Sequence, residues 1–432
     1  MIREPLAIVG GIRTPFVRAY GPMMKVQADR LGTIASTRLF EQLKLSPDTM
    51  NESVWGNVSG QPDAANLARV ISLRAGVPAS CIGHTVNRNC ASGMEAIISS
   101  WQALQDRPQS KIILAGGTES MSNIPFMFNE DATHWFLQFE RQKTMFARIA
   151  HMLKFRPSFM SPVVGIKLGL TDPVCKLNMG ETAENLVSDF KITREEQDAF
   201  ALNSHEKALA AHAAGFFDDE IVPVGSPWVE DKQITQDVGP RKGMTMESMA
   251  KLRPIFKHQG GSVTVGNSCP ITDGAVALVV CLASEAERRG WKPLGYLKHY
   301  TIAGLDPSRM GLGPAFAIHQ LCQQTGKTLE NFSRFEINEA FASQVIACLK
   351  AMASPEFCQT HFQRAVPLGT IDPAQLNVNG GAIALGHPVG ATGARLVLTL
   401  LRELRRTGLK NGLASLCVGG GQGVAMWLST EQ

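Results

Sequence analysis

The chain has 432 residues, 44% of them hydrophobic and 19% charged, with a formal net charge of +4. That length and composition predict a soluble, well-buried globular protein of two or three domains. So small a net charge gives no footing for a nucleic-acid partner, yet leaves room for a local basic patch that handles an anionic substrate.

The first stretch, "MIREPLAIVGGIRTPF", is too short in its apolar part for a signal peptide and reads as a strand. Short β-branched runs closed by glycines then alternate with helical patterns. "LAIVGG" precedes "LGTIASTRLFEQL", and "ESVWGNVSG" precedes "NLARVISLRAG". This alternation predicts a layered α/β architecture.

In "VNRNCASGMEAI", 86–97, a cysteine stands where a strand ends and a helix begins. Met94, Ile97, Ile98, Trp101 and Leu104 recur at the spacing of one helix face. Cys90 is either a small buried hydrophobe or a thiol whose ionisation the helix N-terminus favours. The small flanks Ala91, Ser92 and Gly93 would let another group approach it.

The stretch 120–271 differs in character, being rich in methionine, phenylalanine and proline. Its charged helix "TREEQDAFALNSHEKALAA" carries a capping box, Thr193 with Glu196. An insertion of this length is expected to be a functional lid or subdomain. The longest apolar run, "AVALVVCLA" at 275–283, is about half of what a membrane-spanning helix needs.

The second half repeats the alternation. In "SRFEINEAFASQVIACLKAM" the pair Asn338–Glu339 falls between strand and helix, most simply as a helix cap. In "NVNGGAIALGHPVGATGAR", 377–395, the lone His387 stands among small residues that keep its imidazole reachable. No GK[ST] follows those glycines, so a phosphate-loop reading fails. "CVGGGQG", 417–423, sets Cys417 beside free backbone N–H groups, either a tight turn or an anion-binding nest. Both halves run an apolar strand into a glycine-rich turn, "ILAGGTES" and "SLCVGGGQG". The nine cysteines have no regular spacing, which predicts free thiols in a reducing cytoplasm rather than a disulfide framework. No CxxC or HExxH spacing supports a metal site.

Together and in this order, "NRNCASGMEA", "NEAFA", "GGAIALGHPVGATGAR" and "CVGGGQG" resemble the signatures of the thiolase family, over essentially the whole chain. The resemblance implies a five-layered αβαβα sandwich of two similar halves with an inserted loop domain, working as a homodimer or homotetramer. The halves would be 1–119, completed by about 272–292, and 293–432, with 120–271 as the insertion. It further implies thiolysis of a 3-ketoacyl-CoA to acetyl-CoA and a shortened acyl-CoA in fatty acid β-oxidation, with coenzyme A as co-substrate and no permanent cofactor. The alternative is an acetoacetyl-CoA thiolase working in the condensing direction. A ketoacyl synthase would lack a second catalytic thiol, and a non-catalytic relative should have lost Cys90, His387 or Cys417; all three are present.

Residue by residue, the resemblance implies Cys90 as nucleophile, His387 as its base, and Cys417 as the acid or base at the acetyl carbon. His387 and a water held by Asn338 would face the enolate oxygen, and the N–H groups of Cys90 and Gly419 the tetrahedral intermediate. "GPRKGMTMESMAKLRP", 239–254, matches the family's CoA-binding stretch, placing Arg241 at the adenine and Ser248 at the pantetheine. Cys269 stands where many members carry a second pantetheine-contacting serine.

The insertion is similar in placement to that of the β-subunits of fatty-acid-oxidation trifunctional complexes. Across 134–156, Trp135, Phe139, Phe146, Ile149 and Leu153 fall on one helical face, with basic residues elsewhere. Packed inward, such a face is ordinary core; exposed, it suits a hydratase/dehydrogenase partner or a membrane surface. Those β-subunits carry His-Glu-Ala-Phe, however, where this chain has Asn338-Glu339-Ala340-Phe341.

Overall fold

The computed structural model describes residues 3–107, 109, 111–229 and 233–432. Nine strands form one continuous sheet path: β1 (Leu6–Arg13), β2 (Glu52–Gly56), β3 (Ile82–Val86), β4 (Ile112–Ser120), β5 (Thr272–Leu282), β6 (Gly295–Gly304), β7 (Arg334–Ile337), β8 (Asn411–Val418) and β9 (Gln422–Ser429). Their spatial order is β7-β8-β9-β6-β1-β5-β4-β2-β3.

The path is two copies of one pattern joined at β1 and β6, which pair antiparallel through Leu6 and Leu297. In the first copy, β1–β5 and β5–β4 are antiparallel, and β4–β2 and β2–β3 parallel. In the second, β6–β9 and β9–β8 are antiparallel and β8–β7 parallel. The repeat suspected from two glycine turns is thus a repeat of topology.

Six helices complete the layers: α1 (Ala28–Leu43), α2 (Leu67–Arg74), α3 (Ser92–Asp106), α4 (Gly313–Thr325), α5 (Ala342–Ala353) and α6 (Val389–Thr407). The sheet halves face each other across α3 and α6, whose side chains share one core with both sheets. Helices α1 and α2 cover the outer face of the first half, and α4 and α5 that of the second. The result is the αβαβα sandwich.

The face of α3 expected from sequence is the buried one: Met94, Ile97, Ile98, Trp101 and Leu104 are all in the core. Burying such a side chain is worth about 1.5–3 kcal/mol, so this face alone holds the helix in place. At the crossing of the two central helices, a Cβ on Gly93 would stand 2.6 Å from the backbone nitrogen of Ala394. Only glycine permits that approach, and it brings the N-terminal turns of α3 and α6 together.

Residues Ile124–Thr171 form a compact unit of their own, and 172–271 belongs to the larger unit. In that larger unit the capping box of the helix Arg194–Ala213 is present as expected, Thr193 with Glu196.

The small unit contains the helices Glu130–Glu140 and Met145–Met152, closed by an antiparallel pairing of Phe126–Met127 with Val163–Val164. Trp135 is its hub, stacked on Phe139 at 5.5 Å and set against His151, Phe155 and Phe159. The single apolar face expected over 134–156 is therefore broken in two. Thr144 accepts from Ala147 N and starts a new helix, so Trp135 and Phe139 join the aromatic cluster. Phe146, Ile149 and Leu153 instead stand exposed, Phe146 at 83% and Leu153 at 85%. No helix among the described residues is long and apolar enough to cross a membrane.

Candidate active site

The turn between β3 and α3 is tight. Asn89 takes a left-handed conformation, φ 44°, which asparagine tolerates better than most residues. Its N–H is held by Asn87 Oδ1 at 2.9 Å, and Ser92 Oγ donates back to Asn89 O at 2.7 Å. Cys90 follows, half-buried, one residue before the cap position Ala91.

The backbone N–H groups of Cys90 itself and of Gly419 act on the Cys90 sulfur in favour of its thiolate. Asn89 Nδ2 donates to Gly419 O at 2.8 Å, on the peptide that follows, and so anchors the turn that carries Gly419. Gly419 begins the turn between β8 and β9, where Gly420 and Gly421 take φ of 89° and 79°. A side chain there would be strained.

Burial pushes the Cys90 thiol above its ordinary value; the two N–H groups oppose this, and the Glu119 carboxylate adds to it. The expected ionisation at a helix N-terminus is therefore not what the resting site favours. Desolvation disfavours the thiolate, and α3 itself starts only at Ser92.

Cys417, last residue but one of β8, is buried. Burial drives its thiol well above the ordinary value, with Cys90, Cys348 and Cys269 adding to the effect. Cys269 is likewise pushed up by burial, with Cys90 as the next contribution. Four thiols thus share one electrostatic neighbourhood, and all nine cysteines are free.

His387 closes the site from the C-terminal half. Its N–H donates to Thr272 Oγ1 at 3.1 Å, and its Nδ1 meets Thr392 Oγ1 at 2.7 Å. On the other side of the ring, Nε2 lies 3.5 Å from Asn338 Nδ2. Burial, with Arg395 nearby, lowers its pKa to about 3, so the resting imidazole is neutral.

Asn338 continues the line of β7, its N–H donating to Ser415 O at 2.9 Å. The cap role read for Asn338 or Glu339 does not hold, because α5 begins later, with Phe341 at the cap position and no side-chain cap bond. Asn338 Oδ1 is buried without a protein partner among the described residues, leaving an acceptor free for a water or a ligand. Glu339 instead ties the loop down, accepting from Ser204 Oγ, Asn377 Nδ2 and Ile383 N.

The CoA-stretch residues lie outside this cluster, except Cys269. Arg241 is exposed, and its N–H donates to His205 Nδ1 at 3.2 Å. Ser248 is also exposed, and its hydroxyl is engaged in the cap of the short helix Met246–Ala250, donating to Thr245 O at 2.8 Å. Sequence reasoning missed Asn89, Thr392 and Glu119. Glu119 accepts from Val58 N, Ser59 N and Oγ, Asn57 Nδ2 and Gly390 N, and so ties the start of α6 to the first half.

A thiol between two N–H donors, a second buried thiol and a neutral imidazole are the parts of acyl transfer through a thioester. Residues 6–284 match the family Thiolase, N-terminal domain, and 291–430 Thiolase, C-terminal domain. The chain is 35% identical to a 3-ketoacyl-CoA thiolase of Yersinia enterocolitica over 99% of its own length and 97% of the relative's. It is 37% identical to an acetyl-CoA acetyltransferase of Pseudomonas aeruginosa over 99% and 100%. The crystal structure of human mitochondrial 3-ketoacyl-CoA thiolase in complex with CoA superposes with a TM-score of 0.84, at 34% identity, covering 99% and 98% of the two chains. With both halves matched and the fold shared end to end, the chain belongs to the thiolase family of acyltransferases.

Proposed function

We propose that this chain cleaves 3-ketoacyl-CoA with CoA, giving acetyl-CoA and an acyl-CoA two carbons shorter, in fatty acid β-oxidation. The observation that carries the reading is Asn338 beside His387 Nε2 at 3.5 Å with its Oδ1 buried and unpartnered among the described residues, while the N–H groups of Cys90 and Gly419 favour the Cys90 thiolate.

The resting pair is neutral thiol and neutral imidazole, so the proton moves during attack rather than before it. Cys90 Sγ bonds to C3 of the substrate while its proton passes to His387. The C2–C3 bond then breaks, and its electron pair becomes the enolate of acetyl-CoA. Cys417 donates a proton to C2, and the proton held on His387 restores it. CoA then attacks the acyl-Cys90 thioester, giving its thiol proton to His387, which passes it to the Cys90 sulfur as that group leaves.

Two oxyanions form, and two donor sets fit them. The N–H groups of Cys90 and Gly419 suit the tetrahedral adduct. His387 with a water on Asn338 Oδ1 suits the enolate. One such donor is typically worth ~3 kcal/mol of barrier. Arg241, Ser248 and Cys269 are the proposed CoA contacts, although the Ser248 hydroxyl must leave its cap bond to serve.

The condensing reading, acetoacetyl-CoA formation from two acetyl-CoA, is the second candidate. The Pseudomonas relative named acetyl-CoA acetyltransferase, at 37% identity, favours it. CoA-dependent loss of 3-ketoacyl-CoA absorbance across chain lengths decides between them. Activity on long chains supports the first reading; activity on acetoacetyl-CoA alone supports the second.

We further propose a homodimer or homotetramer in the reducing cytoplasm, with 120–271 serving as the loop domain between the halves 1–119 and 293–432. The unit 124–171 is its docking surface. From 141 to 171 the chain carries six cations and no carboxylate, and Met145, Phe146, Ile149, Met152 and Leu153 all stand exposed on one side of their helix. This chemistry fits an anionic membrane or, in its place, a hydratase/dehydrogenase subunit that supplies the substrate.

A further inference from the structure

We propose that Thr392 is a positioning residue that holds His387 as its Nδ1–H tautomer, leaving Nε2 as the proton acceptor. The inference rests on the thiolase reading for its kinetic consequence, but not for the tautomer itself.

A threonine hydroxyl has one proton and two lone pairs. Thr392 Oγ1 donates to Pro388 O at 3.0 Å, a carbonyl that also accepts from Ala391 N at 2.8 Å and from Thr392 N at 3.0 Å. What Oγ1 then presents to His387 Nδ1, at 2.7 Å, is a lone pair. Nδ1 must therefore carry the proton. A neutral imidazole has one N–H, so Nε2 is left with its lone pair.

The other side of the ring agrees. Nε2 faces the amide nitrogen of Asn338 at 3.5 Å, a donor that needs an acceptor opposite it. The reverse tautomer would require two changes together: the Thr392 hydroxyl turned away from Pro388, and the Asn338 amide turned over. His387, Thr392 and Asn338 are all buried.

Local structure explains why the arrangement is rigid. Thr392 sits in the first turn of α6, five residues after His387, and its own N–H also donates to Pro388 O at 3.0 Å. The His-Pro segment thus folds back on the helix it opens. The β-branched Thr392 has little rotamer freedom there. The hydroxyl is fixed by the helix, and the ring by the hydroxyl.

The test is 15N NMR of histidine-labelled protein without substrate, with a His387→Gln variant to assign the signal, alongside kinetics of Thr392→Val and Thr392→Ser. The expected results are a protonated Nδ1 and a bare Nε2 in the native protein, and a mixed or reversed tautomer in the valine variant. In that variant kcat falls roughly ten- to a hundredfold while KM stays within about twofold. The serine variant keeps the native tautomer and most of the rate. A protonated Nε2 in the native protein overturns the proposal, whatever reaction the enzyme catalyses. So does a valine variant with unchanged tautomer and kcat. Should Thr392→Val not fold, the native spectrum and the serine variant decide alone.

Discussion

Asn89 Nδ2 donates to the carbonyl of Gly419 at 2.8 Å, and the N–H of the same Gly419 favours the thiolate of Cys90, the residue that follows Asn89. A side chain from the first half thereby anchors, through the peptide that follows Gly419, the turn of the second half that lies beside the thiol. The neighbour of the proposed nucleophile and the turn of its proposed oxyanion donor are joined by one interaction that crosses between the halves.

Removing that clasp tests it. Asn89→Gly keeps the left-handed backbone open but frees the Gly419 carbonyl and with it the turn that places the Gly419 N–H. We expect kcat/KM to fall about tenfold or more, within the range for loss of an oxyanion donor, while the melting temperature changes little. An unchanged rate would remove Asn89 from the account.

The raised Cys90 pKa predicts a pH response opposite to that of an activated thiolate. Iodoacetamide alkylation at Cys90 should climb steadily from pH 7 to above 9, without a plateau near neutrality. Peptide mapping of the alkylated protein reads this directly. A plateau below pH 7 would mean that the N–H groups outweigh burial.

His387 and His205 are lowered to about 3 and about 4 by burial, each with a nearby arginine. Both are kept neutral in the fold, so the unfolded chain binds more protons between those values and about 6.5. The stability they contribute is complete above pH 6.5 and is lost as pH falls toward 4. Glu336, raised to about 7 by burial, acts in the opposite sense between pH 4.5 and 7. The clean readout is therefore a difference: denaturant midpoints of His387→Gln should fall less steeply than those of the native protein from pH 6.5 to 4.5. Equal slopes would contradict a buried neutral His387.

For the unit 124–171, replacing Phe146, Ile149 and Leu153 with serine should abolish co-sedimentation with anionic vesicles. Native binding should weaken as salt rises, because screening acts on the cations. The aromatic cluster around Trp135 predicts that the mutant unit stays folded. Absence of native binding to vesicles, together with capture of a hydratase/dehydrogenase subunit, would assign the face to the protein partner.

Much of this was legible in the sequence for physical reasons. Cys90 was placed between a strand and a helix by periodicity, and the strand and helix are β3 and α3. The glycines after Cys417 announced a turn that no side chain could follow. The direction of the Cys90 shift was not legible, because desolvation depends on what packs around the thiol from distant segments. Nor was the break at Thr144, where a continuous helical stripe hides a cap. Thr392 was missed because a hydroxyl's partner depends on where the preceding loop folds back, which spacing alone does not reveal.

The central claim is an acyl group carried on Cys90. The direct measurement is intact-protein and peptide mass spectrometry after mixing the protein with a 3-ketoacyl-CoA in the absence of free CoA. The account predicts release of acetyl-CoA, one acyl adduct on the peptide containing Cys90, and its discharge when CoA is added; Cys417→Ala should still be acylated by an activated acyl-CoA but fail to exchange acetyl-CoA α-protons with deuterated solvent. An adduct on another residue, or turnover retained by Cys90→Ala, would contradict it.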